Sequence, residues 1–291
     1  MNILVLGGQG FIGRHAVAAL RALKLDPTVG TRGADKPEGK CRQFLLHEMT
    51  DPTHWRDAVE EFDVILNCVG ILRPVGPSTY DRVHHLAPAA IAQACENHPT
   101  RFIHVSALGL KIGDRSRFLT SKLAGEKAIE RKTSEWAMVR PSLLDGEGGY
   151  GAAWLRGVSA LPIFAAPMDA QGKIAALMVT DLGQALARLC TATSQELALQ
   201  DNRYFDLGGP ETFTFVSYLK GLRRRAGKGP NLAIPIPGLA ARLGAHLCDL
   251  FRLTPFSFGH WELLRKDNAP TINRLPELLQ RAPTPVIPTD R

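Results

Sequence analysis

No apolar run in this chain approaches the roughly 18 residues that a membrane-spanning helix needs. The first residues lack the charged stretch and cleavage site of a secretory signal. Both absences predict a cytoplasmic location. Cysteine is sparse: Cys41, Cys68, Cys95, Cys190 and Cys248 are far apart, odd in number, and form no CxxC pair. That pattern speaks against a disulfide framework and a zinc site, and predicts reduced core residues in a reducing compartment. No internal repeat is visible. No nucleic-acid motif accompanies the densest basic cluster, Arg223-Arg224-Arg225 with Lys228, which reads as a solvated helix face. The composition is that of an ordinary globular protein, with 45% apolar and 22% charged residues. The 291 residues suffice for one large domain, or a domain plus a lobe. The net charge of +7 favours acidic ligands, an anionic membrane face or a negatively charged partner.

The N-terminus is the most informative stretch. Met1 to Leu6 is an apolar run of strand length, and Gly7-Gly-Gln-Gly10-Phe-Ile-Gly13 turns it into a helix-like segment. Such a strand–turn–helix is how chains build a nucleotide diphosphate site. Gly7 permits the sharp turn, Gly10 leaves room for a pyrophosphate, and Gly13 lets the helix pack close to the strand. The N–H groups of Phe11, Ile12 and Gly13 at the helix start face the phosphates with a partial positive charge.

Strand and helix patterns then alternate. Strands are predicted at 2–6, 28–31, 43–46, 63–68, 101–106 and 136–140, with helices at 11–24, 52–61, 79–97 and 117–132. Alternation of this kind implies right-handed βαβ units and an α/β fold, a parallel sheet flanked by helices. Residues 1–141 form the nucleotide domain, to which 174–208 returns. Residues 142–173 and 209–275 read as a smaller C-terminal lobe on the substrate side. The proline-rich 276–291 reads as a surface tail or a disordered one.

Several positions bear on the cofactor. The second strand ends in Thr31-Arg32 without the carboxylate that would hold an NAD ribose. Arg32 suits a 2′-phosphate, which favours NADP(H) over NAD(H). Asp35 keeps NAD open if its loop folds back. Arg14 either adds a phosphate contact or faces solvent. Asp51 meets the adenine amino group or only caps the following helix. Asn67, Val69 and Gly70 end the fourth strand, where small residues let the adenosine ribose lie close. His84-His85 make a poor chelate, since neighbours on a helix point about 100° apart; no metal site is expected.

In their order, Gly7-x-x-Gly10-x-x-Gly13, Asp51, Asn67-x-x-Gly70, Val105-Ser106-Ala-Leu-Gly109, Lys122-Leu-Ala-Gly-Glu126, Arg140-Pro141 and Val179-Thr-Asp181 resemble the extended and atypical short-chain dehydrogenase/reductases. The likeness runs to about residue 270. It is strongest to the branch containing the nucleotide-binding accessory subunit of respiratory complex I and bacterial sugar-epimerase-like proteins. The resemblance implies a Rossmann-type domain, a lobe closing over the nicotinamide, and cofactor contacts that include Lys122 and Pro141. It also implies catalysis by Ser106, Lys122 and a tyrosine four residues before the lysine. That position holds Phe118, which has no proton to give. Tyr80 and Tyr150 are the candidate substitutes. Two functions follow: an NADP(H)-binding protein with impaired or absent dehydrogenase chemistry, or an oxidoreductase or epimerase-like enzyme acting on a small carbonyl or nucleotide-sugar substrate with another proton donor.

In the lobe, Leu239, Leu243, Leu247 and Leu250 recur at helical spacing. This stripe is expected to pack on its own lobe. A protein partner or membrane-surface contact is the less favoured reading, because the helix's polar face is poor in Lys and Arg. Phe256, Phe258 and Trp261 either line the cleft or fill the lobe's core.

Overall fold

The computed structural model describes residues 1–33, 39–132, 135–193, 195–196, 203–251 and 254–288. The strands are β1 (Ile3–Leu6), β2 (Thr28–Thr31), β3 (Cys41–Gln43), β4 (Val64–Asn67), β5 (Arg101–Val105), β6 (Trp136–Pro141), β7 (Leu144–Asp145), β8 (Ile163–Pro167), β9 (Leu177–Met178), β10 (Tyr204–Leu207) and β11 (Leu232–Ile236). The helices are α1 (Phe11–Ala22), α2 (Arg56–Glu61), α3 (Ala87–Ala94), α4 (Arg117–Lys132), α5 (Tyr150–Ser159), α6 (Val179–Thr191), α7 (Phe215–Arg225), α8 (Gly238–Phe251), α9 (Phe258–Leu264) and α10 (Leu275–Leu279).

Seven parallel strands form the main sheet in the order β3-β2-β1-β4-β5-β6-β10. The order reverses between β1 and β4, and ligands bind beyond strand ends at such a switch point. Alternation along β1 explains the two-sided core. Ile3 and Val5 pack into one layer with Ala16, Leu20 and Leu186, whereas Leu4 and Leu6 pack into the other with Trp55, Ile91 and Phe102. Each fully buried side chain of this kind contributes about 1.5–3 kcal/mol.

The third strand differs from the expected 43–46. The ladder with β2 runs over Cys41–Gln43. Phe44 and Leu46 follow it as buried loop residues, and the Phe44 ring stacks 5.6 Å from Trp55. Their apolarity marks packing, not strand pairing. The segment expected as one helix over 79–97 contains a π-helical turn at Arg82–Leu86 before α3. That turn abuts Gly125 of α4, where a Cβ would lie 2.0 Å from the His84 carbonyl oxygen. Only glycine lets α4 approach so closely.

In the lobe, β8 pairs with β11 and α5 packs on α7. Of the basic cluster expected to be solvated, Arg224, Arg225 and Lys228 are exposed and Arg223 is half-buried, but Arg223 and Arg225 also bond within the lobe. Arg223 Nη1 donates to the Ala160 carbonyl at 2.7 Å, and Arg225 pairs with buried Asp145 at 3.3 Å. Both hold the lobe together. The tail is anchored on the surface it covers. Val286 and Ile287 are buried in the lobe core, where Ile287 occupies the space beside Gly221. Asp181 anchors the returning chain, accepting from Arg281 at 2.7 Å and from the Thr284 N–H at 2.6 Å. Polar anchors outside the segment override its proline-rich composition. Ile287→Ala should therefore lower the unfolding free energy by about 2–5 kcal/mol in urea titration; a loosely lying tail would register almost nothing.

Candidate functional site

The glycine turn is built as its sequence implies. Gly7 has φ +70°, and its N–H donates to the Gly30 carbonyl at 3.1 Å, fastening the turn to β2. The Gly10 N–H donates to the Gly7 carbonyl at 2.8 Å. A Cβ on Gly13 would lie 2.1 Å from that same oxygen, so glycine there permits α1 to sit on the turn. Gly10 is different. Its backbone is extended, and a Cβ would meet nothing within 4 Å except the Gly7 oxygen at 3.1 Å. The space over Gly10 is open, as a pyrophosphate cradle requires. No side chain caps α1, so the first-turn N–H groups of Phe11, Ile12 and Gly13 remain available to an anion.

The other strand ends surround this turn. Asn67 is fully buried at the end of β4; its Nδ2 donates to His104 Nδ1 at 3.1 Å, and its Oδ1 accepts from the Val69 N–H at 2.9 Å. These bonds shape the turn to Gly70. Burial holds His104 neutral, with its pKa lowered to about 3. Arg32 follows β2, exposed and with no ion pair among the described residues. Asp35 lies outside the described residues. Asp51 caps the 3₁₀ turn at Pro52–Trp55, and its Oδ1 accepts from both the Thr53 N–H and hydroxyl. Arg14 reaches the Glu147 carbonyl and lies against Gly148, tying α1 to the loop before α5. Pro141 ends β6, and its carbonyl accepts from the Leu108 N–H at 3.0 Å.

Ser106 follows β5 directly. Its hydroxyl is buried and has no hydrogen-bond partner. A buried hydroxyl left so is costly unless a bound molecule completes it. Lys122 is buried on α4, and a Cβ on Gly70 would lie 3.8 Å from its Nζ. Desolvation lowers its pKa to about 8. The open space over Gly10, the uncapped helix start, the orphaned Ser106 and the adjoining lysine together fit a dinucleotide.

Phe118 lies one helical turn before Lys122, with its ring centroid 5.8 Å from Nζ. It is packed among Tyr80, His84 and His260, with ring separations of 5.8, 5.5 and 5.9 Å. His84 Nε2 accepts from the Ile71 N–H at 3.0 Å, and its Nδ1 contacts Ser121 Oγ at 3.1 Å. His85 instead pairs with Asp81 at 2.9 Å. Tyr80 is a poor substitute donor. Its hydroxyl already donates to the Leu72 carbonyl at 2.7 Å, and burial raises its pKa to about 12. Tyr150 is 63% exposed at the start of α5.

Composition alone did not reveal several positioning contacts. Arg140 Nε donates to buried Glu126 at 2.9 Å, and a second guanidinium nitrogen completes a fork onto the same carboxylate. This pair locks the Lys122 helix to β6. It joins two quoted motifs, so opposite charges in neighbouring elements were the available signal. The lobe closes through Arg73, which donates to the Phe256 carbonyl at 2.8 Å and pairs with Asp249 at 3.4 Å. His260 of α9 then lies over Phe118. Of the remaining lobe aromatics, Phe258 and Trp261 fill the core around Ala241 and Ala245, and Phe256 stacks 5.9 Å from Trp154.

The NAD(P)H-binding family profile matches residues 7–160, more than half of the chain. The chain belongs to the NAD(P)H-binding family. A ceramide reductase of Caulobacter vibrioides is 25% identical over 279 residues, covering 92% of this chain and 86% of the relative. The mitochondrial NADH dehydrogenase (ubiquinone) 1 alpha subcomplex subunit 9 of Arabidopsis thaliana is 24% identical over 221 residues. That alignment covers 72% of this chain and 54% of the subunit. In fold, the chain resembles Citrobacter sp. triphenylmethane reductase complexed with NADP(H), with TM-score 0.71, 15% identity, and coverage of 98% and 97% of the two chains. The Rossmann-type parallel sheet flanked by helices read from the motifs is thus the fold this chain has.

Two glycine variants separate folding from ligand space. Gly13→Ala should lower the melting temperature sharply, because its Cβ strikes backbone. Gly10→Ala should keep the fold within a few degrees while weakening NADPH binding at least about tenfold by fluorescence titration, since its Cβ fills the pyrophosphate approach.

Proposed function

We propose that this NAD(P)H-binding protein holds NADP(H) and has impaired dehydrogenase chemistry of the usual kind. Phe118 carries this reading. It stands one turn from Lys122, where the family's general acid would be, and is enclosed by Tyr80, His84 and His260. A benzyl side chain neither gives nor takes a proton, and losing a positioned general acid costs about 10²- to 10⁴-fold in rate. The neighbours do not replace it readily. Tyr80 donates elsewhere, and burial lowers the pKa values of His84 and His260, keeping both neutral.

The nicotinamide, when bound, supplies hydride chemistry. In this reading the chain's own residues bind and orient. First-turn N–H groups of α1 receive the pyrophosphate, and Asn67, Val69 and Gly70 shape the adenosine side. The Lys122 ammonium donates to ribose hydroxyls, and the Ser106 hydroxyl donates to a substrate oxygen. Arg32 receives the 2′-phosphate, which supports NADP(H) over NAD(H). The proposed location is the cytoplasm, in keeping with five unpaired cysteines.

A second reading rests on Ser106. Its orphaned hydroxyl suits a carbonyl oxygen, and the likeness to a ceramide reductase supports reduction of such a group, with water delivering the proton.

NADPH and NADH titrations with turnover on a carbonyl panel decide between them. Binding without turnover, with activity appearing in Phe118→Tyr, is the expected result; ordinary wild-type turnover overturns the impaired-enzyme reading. Arg32→Ala should weaken NADPH about 10- to 100-fold, the loss of one charge-assisted pair, and leave NADH unchanged. An unaltered NADPH preference removes the 2′-phosphate assignment. Lys122 makes binding pH-dependent. Its ammonium is lost as pH rises through about 8, so NADPH affinity should fall above that pH. Lys122→Met should bind weakly and show no such fall.

A further inference from the structure

Helix α8 is held to the lobe by its small face. Ala241 and Ala245 are buried against Phe258 and Trp261. On the opposite face Leu239, Leu243, Leu247, Leu250 and Phe251 are between 52% and 72% exposed. The leucine stripe therefore does not pack on its own lobe, contrary to the expectation from its spacing. Exposed apolar side chains recur in the preceding elements. Leu232 and Ile234 of β11 and Ile163 of β8 are exposed, as is Met168, whose N–H donates to the Ile236 carbonyl at 2.9 Å just before α8 begins. Exposed large apolar side chains in this number on one lobe mark an interaction site.

The charges of the lobe indicate what covers this face. From Lys220 to Asp249 the sequence has six Lys and Arg residues against one carboxylate. That carboxylate, Asp249, is paired with Arg73. Lys220, Arg224, Lys228 and Arg242 are exposed and have no ion pair among the described residues. Arg242 of α8 also lines an open cleft of about 410 Å³ with Asp114, Arg115, Glu262, Arg265 and Lys266, in which Arg265 pairs with Asp169 at 3.0 Å and Lys266 with Asp114. Of the cations without an ion pair among the described residues, Arg242 lies on α8, and Lys220, Arg224 and Lys228 lie in the segment leading to β11. An apolar helix face on a lobe with such an excess of unpaired cations suits an interfacial helix on anionic lipid. No helix of the described residues is long and apolar enough to cross a membrane, so the contact is in-plane.

We propose that the C-terminal lobe docks on an anionic phospholipid bilayer, with the α8 leucines and Phe251 entering the headgroup boundary and these unpaired cations meeting lipid phosphates. A protein partner of the same surface would need compensating acidic groups around an apolar groove, whereas the bilayer supplies both over any area. The proposal does not depend on which nucleotide is bound or on whether the site is catalytic.

Vesicle flotation of the whole protein tests this. Wild type should float with phosphatidylcholine vesicles containing about 30% phosphatidylglycerol and much less with phosphatidylcholine alone. Binding should weaken as salt rises from about 50 to about 500 mM. Leu243→Asp combined with Leu247→Asp should reduce binding at least about tenfold with melting temperature and NADPH binding retained, because both side chains are already solvent-facing. Arg224→Glu with Lys228→Glu should remove the preference for anionic vesicles. No flotation of wild type, or flotation of the leucine double variant equal to wild type, overturns the proposal. So does a concentration-dependent dimer that the leucine variant disperses while vesicles bind neither protein, which would assign the face to a second copy.

Discussion

The contact between Gly13 and the Gly7 carbonyl oxygen is the constraint on which the site depends. No side chain fits between α1 and the turn, and this absence sets the helix start against the end of β1. The helix then directs its uncapped N–H groups over the open Gly10, at the point where the order of the sheet reverses. The ends of β4 and β5 are brought beside the turn by register from β1. Asn67 pairs with Leu6 across the ladder, His104 of β5 pairs with Asn67, and Ser106 directly follows β5.

A second close approach governs the chemical end. Gly125 lets α4 rest on the π turn that carries His84, and the Glu126–Arg140 fork fastens the same helix to β6. Lys122 is thereby held under Gly70 with a reduced affinity for its proton. The same geometry encloses Phe118 between Tyr80, His84 and His260. Lys122 keeps its ammonium beside Gly70, while Phe118 one turn earlier sits in an aromatic cluster. In the proposed reading, binding and proton transfer would rest on different side chains of one helix face, so the second could be lost without the first.

The lobe serves two directions. Its inner side closes on the sheet through Arg73 and His260, and its outer side presents the α8 leucines. Asp145 and Asp181, both buried, organise it by engaging Arg225 in one case and Arg281 with Thr284 in the other. Through those anchors Val286 and Ile287 reach the lobe core.

The turn, the strand–helix alternation and the Phe118 substitution were legible in the sequence, because each is local: glycine spacing, two-residue and 3.6-residue periodicity, and a side chain at a fixed offset from Lys122. The third strand was placed wrongly for a physical reason. Phe44 and Leu46 are apolar through packing on Trp55, and periodicity does not separate that from strand pairing. What only the tertiary structure decided was long-range. Arg223 and Arg225 tie the lobe together from its surface, and Ile287 fills a space beside Gly221. The leucines of α8 face outward because Ala241 and Ala245 give the closer fit to Phe258 and Trp261. Spacing defines a helix with two faces. Which face is buried depends on the shape of the neighbour, and the order of residues along one helix does not contain that shape.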